Sequence, residues 1–318
     1  MRVVIIGGTG HVGTYLVPYL VEAGHEVINL SRQERKPYHP NLAWKKVQQV
    51  LVDRDVEEIT GKFSERVSDL HPDIVIDMIC FKVESARQLV EALRGKVQHF
   101  LHCGTIWVHG YSTAVPTTEK QPRHPFGDYG IQKAAIENYL LEQAHRYGFP
   151  ATILHPGHIV GPGWAPVNPA GNVNPLVFEK LARAEELAMP NLGMETLHHV
   201  HADDVAQGFM KAMANWSTAV GESFHIVSPS ALTLRGYAEA VADWFGQPAN
   251  LLFLPWEEWR KTVSTQESES TWDHIAHSPN CSIGKAERFL DYQPRYSSLQ
   301  GIFGSIEWLI QNGKVHVQ

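Results

Sequence analysis

Arg2-Val3-Val4-Ile5-Ile6-Gly7-Gly8-Thr9-Gly10-His11-Val12-Gly13 is the stretch on which the fold turns. Residues 2–6 are a short, β-branched, apolar run, the pattern of a strand buried on both faces. Gly7, Gly10 and Gly13 follow at the spacing GxxGxxG. Residues 12–23 then carry helical spacing, with Gly24 as a stop and Pro18 expected to bend the helix or disturb its first turns. Each glycine has a task in such a strand-loop-helix unit. The first permits a tight turn, the second lets backbone approach a pyrophosphate, and the third lets the helix pack close to the sheet. The helix N-terminus offers free N–H groups and a dipole to an anion. Gly7, Thr9, Gly10, His11, Val12 and Gly13 are therefore expected to hold a dinucleotide.

The pattern continues outward as repeated β-α units. Strands read at residues 26–30, 46–52, 74–78, 97–102 and 151–154, and helices at 56–70, 83–94 and 129–147, with Gly95 and Gly148 as C-terminal stops. This predicts an α/β fold, a doubly wound parallel sheet with helices on both faces. After Gly157 the stretch holding Pro162, Pro166, Pro169 and Pro175 reads as a loop-rich excursion. Regular elements resume with a strand at 222–227, a helix at 234–245, a strand at 251–254 and a last helix at 299–310. The Ser/Thr/Glu-rich run 263–270 reads as a mobile loop.

The chain of 318 residues is 43% hydrophobic and carries a formal net charge of −7. That is enough for a large core, and the mildly acidic balance offers no general attraction to nucleic acid or anionic membrane. No apolar run is long enough for a membrane span, and the start lacks the features of a signal peptide, so a cytoplasmic location is expected. Cys80, Cys103 and Cys281 are widely spaced and read as reduced thiols, with no cysteine-based metal site.

The end of the second strand distinguishes NAD from NADP. It reads Asn29-Leu30-Ser31-Arg32, without a carboxylate, and Arg35 and Lys36 follow. The reading favours NADP(H), with Ser31 and Arg32 on the 2′-phosphate; a solvated Arg32 is the alternative. Asp53, just past the third strand, is placed either to meet the adenine amino group or to cap the next helix.

Tyr129 and Lys133 stand at i, i+4 near the start of a helix and share a face. A phenol with a pKa of ~10 is a poor base at neutral pH, and a nearby ammonium together with a positive nicotinamide ring favours the phenolate. Thr105, following the fifth strand, is expected to hold a substrate oxygen.

These motifs together resemble the extended short-chain dehydrogenases, the NAD-dependent epimerase/dehydratase family. The glycine loop matches that family's cofactor loop, and Tyr129-Gly130-Ile131-Gln132-Lys133 its active-site motif. Thr105-Ile106-Trp107-Val108-His109-Gly110 is similar to its Ser/Thr-x-x-Val-Tyr-Gly segment. His155-Pro156-Gly157-His158-Ile159-Val160-Gly161-Pro162 resembles Arg-Pro-x-Asn-Val-Tyr-Gly-Pro, and His201-Ala202-Asp203-Asp204-Val205-Ala206 resembles His-Val-x-Asp-Val-Ala. Leu290-Asp291-Tyr292-Gln293-Pro294 looks like the late Leu-Gly-Tyr-x-Pro stretch. The resemblance implies Tyr129 as acid/base, Lys133 on the nicotinamide ribose and Thr105 orienting the substrate. It further implies Met78 and Pro156 on the cofactor, Ile106, His158 and His201 towards a small-molecule substrate, and a homodimer through the helices after Val83 and Asp128. A cofactor domain of residues 1–160, rejoined by 195–228, would carry a substrate domain of 161–194 and 229–318.

The match also departs from the family. Nucleotide-sugar members carry an asparagine at the place of His158 and an arginine shortly before the His-Val-x-Asp segment, where this chain has Glu195-Thr196-Leu197-His198-His199-Val200. A second arginine gives way to Pro279-Asn280-Cys281, and His-Leu-Ala-Ala to Asp77-Met78-Ile79-Cys80. A diphosphate needs cationic or multiple N–H partners. A reductase of a non-nucleotide carbonyl therefore competes with an epimerase or dehydratase. A non-catalytic NADP-sensing or RNA-associated protein is the reading from another class, opposed by the retained Tyr129 and Lys133 and by the acidic charge. His198, His199 and His201 suggest packing or substrate contact rather than a metal. The tryptophans at 256, 259 and 272 read as core of the smaller domain or as pocket lining.

Overall fold

The computed structural model of the chain describes residues 1–32 and 36–317, which keeps Lys36 and leaves the Arg35 of the cofactor reading outside the described residues. The first half runs β1 (Arg2–Ile6), α1 (Gly13–Glu22), β2 (Glu26–Ser31), β3 (Gln48–Leu51), α2 (Arg54–Glu58), α3 (Lys62–Asp69), β4 (Ile74–Asp77), α4 (Val83–Leu93), β5 (His99–Cys103), α5 (Gly127–Tyr147) and β6 (Ala151–Pro156). The second half follows with β7 (His158–Val160), α6 (Leu176–Ala182), β8 (Leu187–Pro190), β9 (Thr196–Leu197), β10 (His199–His201), α7 (Ala202–Ala214), α8 (Trp216–Ala219) and β11 (Ser223–Ile226). It ends with β12 (Leu232–Thr233), α9 (Leu234–Trp244), β13 (Leu251–Leu254), α10 (Trp256–Trp259), α11 (Thr265–His277), α12 (Gly284–Leu290) and α13 (Ser298–Gln311).

Seven parallel strands form one sheet in the order β11-β6-β5-β4-β1-β2-β3. The chain reverses its direction of travel between β1 and β4, and the glycine loop leaves β1 at that point. Such a switch point is where open α/β sheets bind ligands. The opening apolar run has its explanation here. Val3 and Ile5 pack with Leu16, Val17 and Leu20 of α1 and Phe209 of α7. Val4 and Ile6 face the other way, onto Phe63 and Val67 of α3, Leu89 and Val90 of α4, and Ile136 and Leu140 of α5. A strand covered on both faces has no polar side to alternate with.

A further core joins Leu187 and Met189 of β8 to Leu234, Tyr237 and Val241 of α9, Trp259, Ile302 and Ile306. Trp259 is fully buried and donates its Nε1–H to the Ala188 carbonyl at 3.0 Å. Trp256 stacks on it, while Trp272 is exposed. Core packing accounts for the first two.

Two expectations need correction. The run 263–270 is no loop but the entry to α11. Ser264 accepts from Glu267 N at 3.2 Å and donates its own N–H to the Glu267 carboxylate at 2.8 Å, a capping box whose Ser-x-x-Glu spelling the polar composition obscured. The helix expected over 56–70 is split into α2 and α3, because Gly61 takes a positive φ of 72° between them.

Candidate active site

At the cofactor cradle, a Cβ on Gly13 would lie 1.9 Å from the Gly8 carbonyl oxygen, so helix and loop approach as closely as only glycine allows. Gly7 itself has φ 87°. Asn29, fully buried in β2, accepts the Gly8 N–H at 2.8 Å and donates to Gln49 at 2.7 Å, tying the loop to β3. The residues present fit a dinucleotide. α1 starts with no side-chain cap at Val12 and no acidic residue in its first turn, which leaves its positive end to an external anion. His11 is buried and stacks on Trp164, with ring centroids 5.2 Å apart. Gly13→Ala should weaken cofactor binding at least tenfold and lower the melting temperature, because overpacking of this kind costs about 1–3 kcal/mol; calorimetric titration and thermal melting check both.

A cavity of about 350 Å³ opens at the ends of β2 and β3, lined by Arg32, Leu51, Val52, Asp53, Val56 and Glu57. Asp53 accepts from Asp55 N at 3.0 Å and Val56 N at 3.3 Å, so its carboxylate caps α2 while bordering that cavity. Arg66 holds Glu57 through two hydrogen bonds, at 2.7 and 2.8 Å. Ser31 is buried, accepting from Asn29 at 3.3 Å. Met78 follows Asp77, whose carboxylate pairs with Arg54 at 2.8 Å in the interior. Pro156 closes β6, paired with Ile226.

The three residues assigned to chemistry come together at the ends of β5 and α5. Lys133 is buried and donates from Nζ to the Cys103 carbonyl at 2.7 Å; the same nitrogen lies 4.9 Å from the Phe81 ring centre and 5.9 Å from that of Tyr129. Burial lowers its pKa. Thr105 caps the 3₁₀ turn Ile106–His109, its Oγ accepting from Trp107 N at 3.3 Å, and its side chain draws the Tyr129 phenol pKa down. Although 43% of the residue's surface is exposed, desolvation by the surrounding protein pushes that phenol up to about 12, and Thr105 pulls partly the other way. The depressed phenol expected from the Tyr-Lys spacing counts on two cations together, the Lys133 ammonium and an oxidised nicotinamide ring.

Trp107 stands edge-on to Tyr129 at 5.9 Å and to His158 at 6.0 Å, and stacks on His277 at 4.1 Å. It thus joins the 3₁₀ turn to β7 and α11. Ile106 packs with Val227 and Cys281. His201 accepts from Asp203 N at 3.1 Å, capping α7, and stacks on Tyr296 at 3.9 Å. His198 uses both ring nitrogens on backbone, Nδ1 accepting from Cys281 N at 3.0 Å and Nε2 donating to the Ser228 carbonyl at 2.9 Å. Among the described residues no group of three or more His, Cys, Asp or Glu is placed to hold a metal ion. Nor is any helix among them long and apolar enough to cross a membrane.

Sequence reasoning missed Asn29, Trp107 and Glu137. Glu137 had a legible signal, since 129, 133 and 137 form one stripe of α5 at successive i, i+4 steps. Asn29 and Trp107 are known only through partners distant in sequence.

A family model described as the NAD dependent epimerase/dehydratase family matches residues 3–226. The 2′-dehydrokanamycin reductase of Streptomyces kanamyceticus is 26% identical over 99% of this chain and 86% of its own length. The chloroplast stem-loop binding protein of 41 kDa b of Arabidopsis thaliana is 24% identical, over 96% of this chain and 78% of its own. Among solved structures, the UDP-glucose 4-epimerase of Thermotoga maritima with UDP-glucose superposes with a TM-score of 0.75 at 22% identity, covering 98% of this chain and 99% of that one.

Proposed function

The chain belongs to the NAD dependent epimerase/dehydratase family, and from that premise we propose that it moves a hydride between nicotinamide and a carbon of a sugar or related hydroxyl/carbonyl compound. It is an NAD(P)-dependent enzyme of the short-chain dehydrogenase type. The observation that carries the finer reading is the meeting of Thr105, Tyr129 and Lys133 where β5 ends and α5 begins.

The glycine loop and the uncapped start of α1 would hold a nicotinamide dinucleotide, which would supply or take the hydride when bound. Tyr129 gives its proton to the carbonyl oxygen as the carbon is reduced, or takes the hydroxyl proton in the reverse direction. Thr105 donates its hydroxyl proton to the phenol oxygen and steadies the phenolate left behind. Lys133, as the family implies, holds the nicotinamide ribose. A homodimer through α4 and α5 belongs to the same reading.

NADP(H) is the favoured cofactor. Arg32 lines the cavity at the ends of β2 and β3. Arg32→Ala should weaken NADP⁺ binding about 10- to 100-fold, the scale of lost charge-assisted hydrogen bonds, and leave NAD⁺ binding within twofold. Calorimetry with both cofactors reads this out; equal losses for the two would remove the 2′-phosphate role.

One observation favours a substrate without a diphosphate. In the stretch 195–200, the region where nucleotide-sugar members carry an arginine, this chain has none, and its His198 has both ring nitrogens spent on backbone and is held by burial at about 4, hence neutral. Residues 279–281 bring no cation either. The test is NADPH oxidation, followed by nicotinamide absorbance, against paired keto-sugars, free and nucleotide-linked. Turnover of the free compounds alone supports a non-nucleotide reductase. Turnover of the nucleotide-linked members alone rejects it, and turnover of neither rejects the reductase direction.

A further inference from the structure

We propose that His155 is a positioning residue of this site: its imidazole, clamped between Glu137 and the Thr105 backbone, fixes the Thr105 hydroxyl against the Tyr129 phenol. This rests on the assignment of Tyr129 and Thr105 above.

The ladder between β5 and β6 makes its last backbone bond from Gly104 N to the Leu154 carbonyl, at 2.7 Å. Thr105 comes next, buried and beyond the ladder, and its N–H finds His155 Nδ1 at 3.0 Å. A ring nitrogen that accepts carries no proton, so Nε2 carries it. Nε2 lies 2.9 Å from Glu137 Oε1 and donates to it. Arg123 grips the same carboxylate with Nη2 at 2.7 Å and Nε at 2.9 Å, and its Nη1 donates to the Glu119 and Gln121 carbonyls at 3.0 and 2.7 Å. His155 is fully buried and Glu137 is 1% exposed. The chain of donors and acceptors is closed from Arg123 to Thr105, and it allows one tautomer.

Two further details tie this strut to the reacting group. A Cβ on Gly104 would sit 2.4 Å from His155 Nδ1, so the ring reaches Thr105 only because residue 104 is glycine. Thr105 is held extended, φ −162° and ψ 149°, with Oγ accepting from Trp107 N. That contact uses a lone pair and leaves the hydroxyl proton free to turn to the phenol, whose pKa Thr105 draws down. Glu137 stands two helical steps beyond Tyr129 on the same stripe of α5, so acid/base and strut are anchored in one rigid element. The His225 ring, 6.3 Å from that of His155, is spent elsewhere, with Nε2 on His109 at 2.8 Å and Nδ1 on the Ser282 carbonyl at 3.2 Å.

The test follows phenolate absorbance against pH in the complex with NADP⁺, taken as the difference between each protein and its Tyr129→Phe counterpart. His155→Phe and Gly104→Ala attack the strut from opposite sides. Each should raise the Tyr129 midpoint by about one pH unit, the scale of one hydrogen bond to a charged oxygen. Cofactor affinity should stay within twofold, and kcat should fall while KM holds. A folded variant that binds NADP⁺ with an unmoved Tyr129 midpoint overturns the proposal. Should neither variant fold, ¹⁵N spectra of the wild type decide. A protonated Nε2 with bare Nδ1 at His155 supports the strut, and the opposite tautomer overturns it. If Tyr129→Phe itself retains turnover, the site assignment fails; if Tyr129 is essential and its midpoint is unmoved, the role of His155 alone fails.

Discussion

Tyr129→Phe should lower kcat by about 10³-fold, within the range of 10²–10⁴ that positioned proton transfer contributes. The substitution removes one oxygen and keeps the ring. The edge contact with Trp107 at 5.9 Å and the tilted contact with Phe81 at 6.4 Å survive it. The residue is 43% exposed, so the fold has little to lose. The groups assigned to the dinucleotide, the loop between β1 and α1 and the Lys133 ammonium, are untouched by the substitution, and dinucleotide affinity should stay within twofold. Loss of turnover with intact binding is the signature of a group that acts only as the proton moves. Lys133 offers no equally clean experiment, because its replacement strands the Cys103 carbonyl it now satisfies in the interior. Steady-state rates beside a cofactor titration read the result, and a variant retaining a tenth of wild-type activity would remove Tyr129 from the acid/base role.

The parts of this site that could be read from the chain are those whose partners are local. The glycine loop is contiguous, and its strand and helix flank it directly. Tyr129 and Lys133 are four residues apart on one helix, and Thr105 follows a strand that its own apolar run announces. The Ser-x-x-Glu box before α11 was equally local, and the polar run around it hid the signal. His155 is a different case. In the sequence it stands where the family carries arginine, and nothing nearby says what it touches. Its partners, Thr105 and Glu137, come from β5 and α5, 50 and 18 residues away. Asp53 shows a further limit. Capping and adenine recognition ask for the same residue at the same place, and the carboxylate that caps α2 also borders the cavity beside Arg32.

Buried imidazoles that bind no proton in the fold are a liability in acid. His11, His109 and His199 are pushed by burial to about 3, and His99, His198, His201 and His277 to about 4. His102 and His225 also lie well below their ordinary value for the same reason. All nine are buried. In the unfolded chain each titrates near ~6.5.

The protein is therefore expected to unfold cooperatively about one to two pH units below 6.5, the interval over which the histidine penalty reaches the usual net stability. Above pH 6.5 these rings are neutral in both states and contribute nothing to the pH dependence. Below it, the unfolded chain takes up protons that the folded chain refuses until about pH 3 to 4, so stability falls as pH falls. Each such histidine costs about 1.4 kcal/mol per pH unit. If five of the nine behave this way, the slope is about 5 × 1.4 = 7 kcal/mol per unit, against a net stability of about 5–15 kcal/mol. Glu137 acts in the same direction at lower pH. Burial opposes its charge, but His155 and Arg123 more than offset that and hold it well below the usual carboxylate range. Asp204 acts the other way, since burial raises it to about 6 and its protonation favours the fold between there and its ordinary 3.8. One carboxylate cannot offset nine imidazoles. Circular dichroism against pH, with proton uptake measured across the transition, separates the causes. Uptake of five or more protons with a midpoint near pH 5 identifies the histidines. A fold that persists to about pH 3.5 and then yields with the ordinary carboxylates would show that these rings accept protons in place.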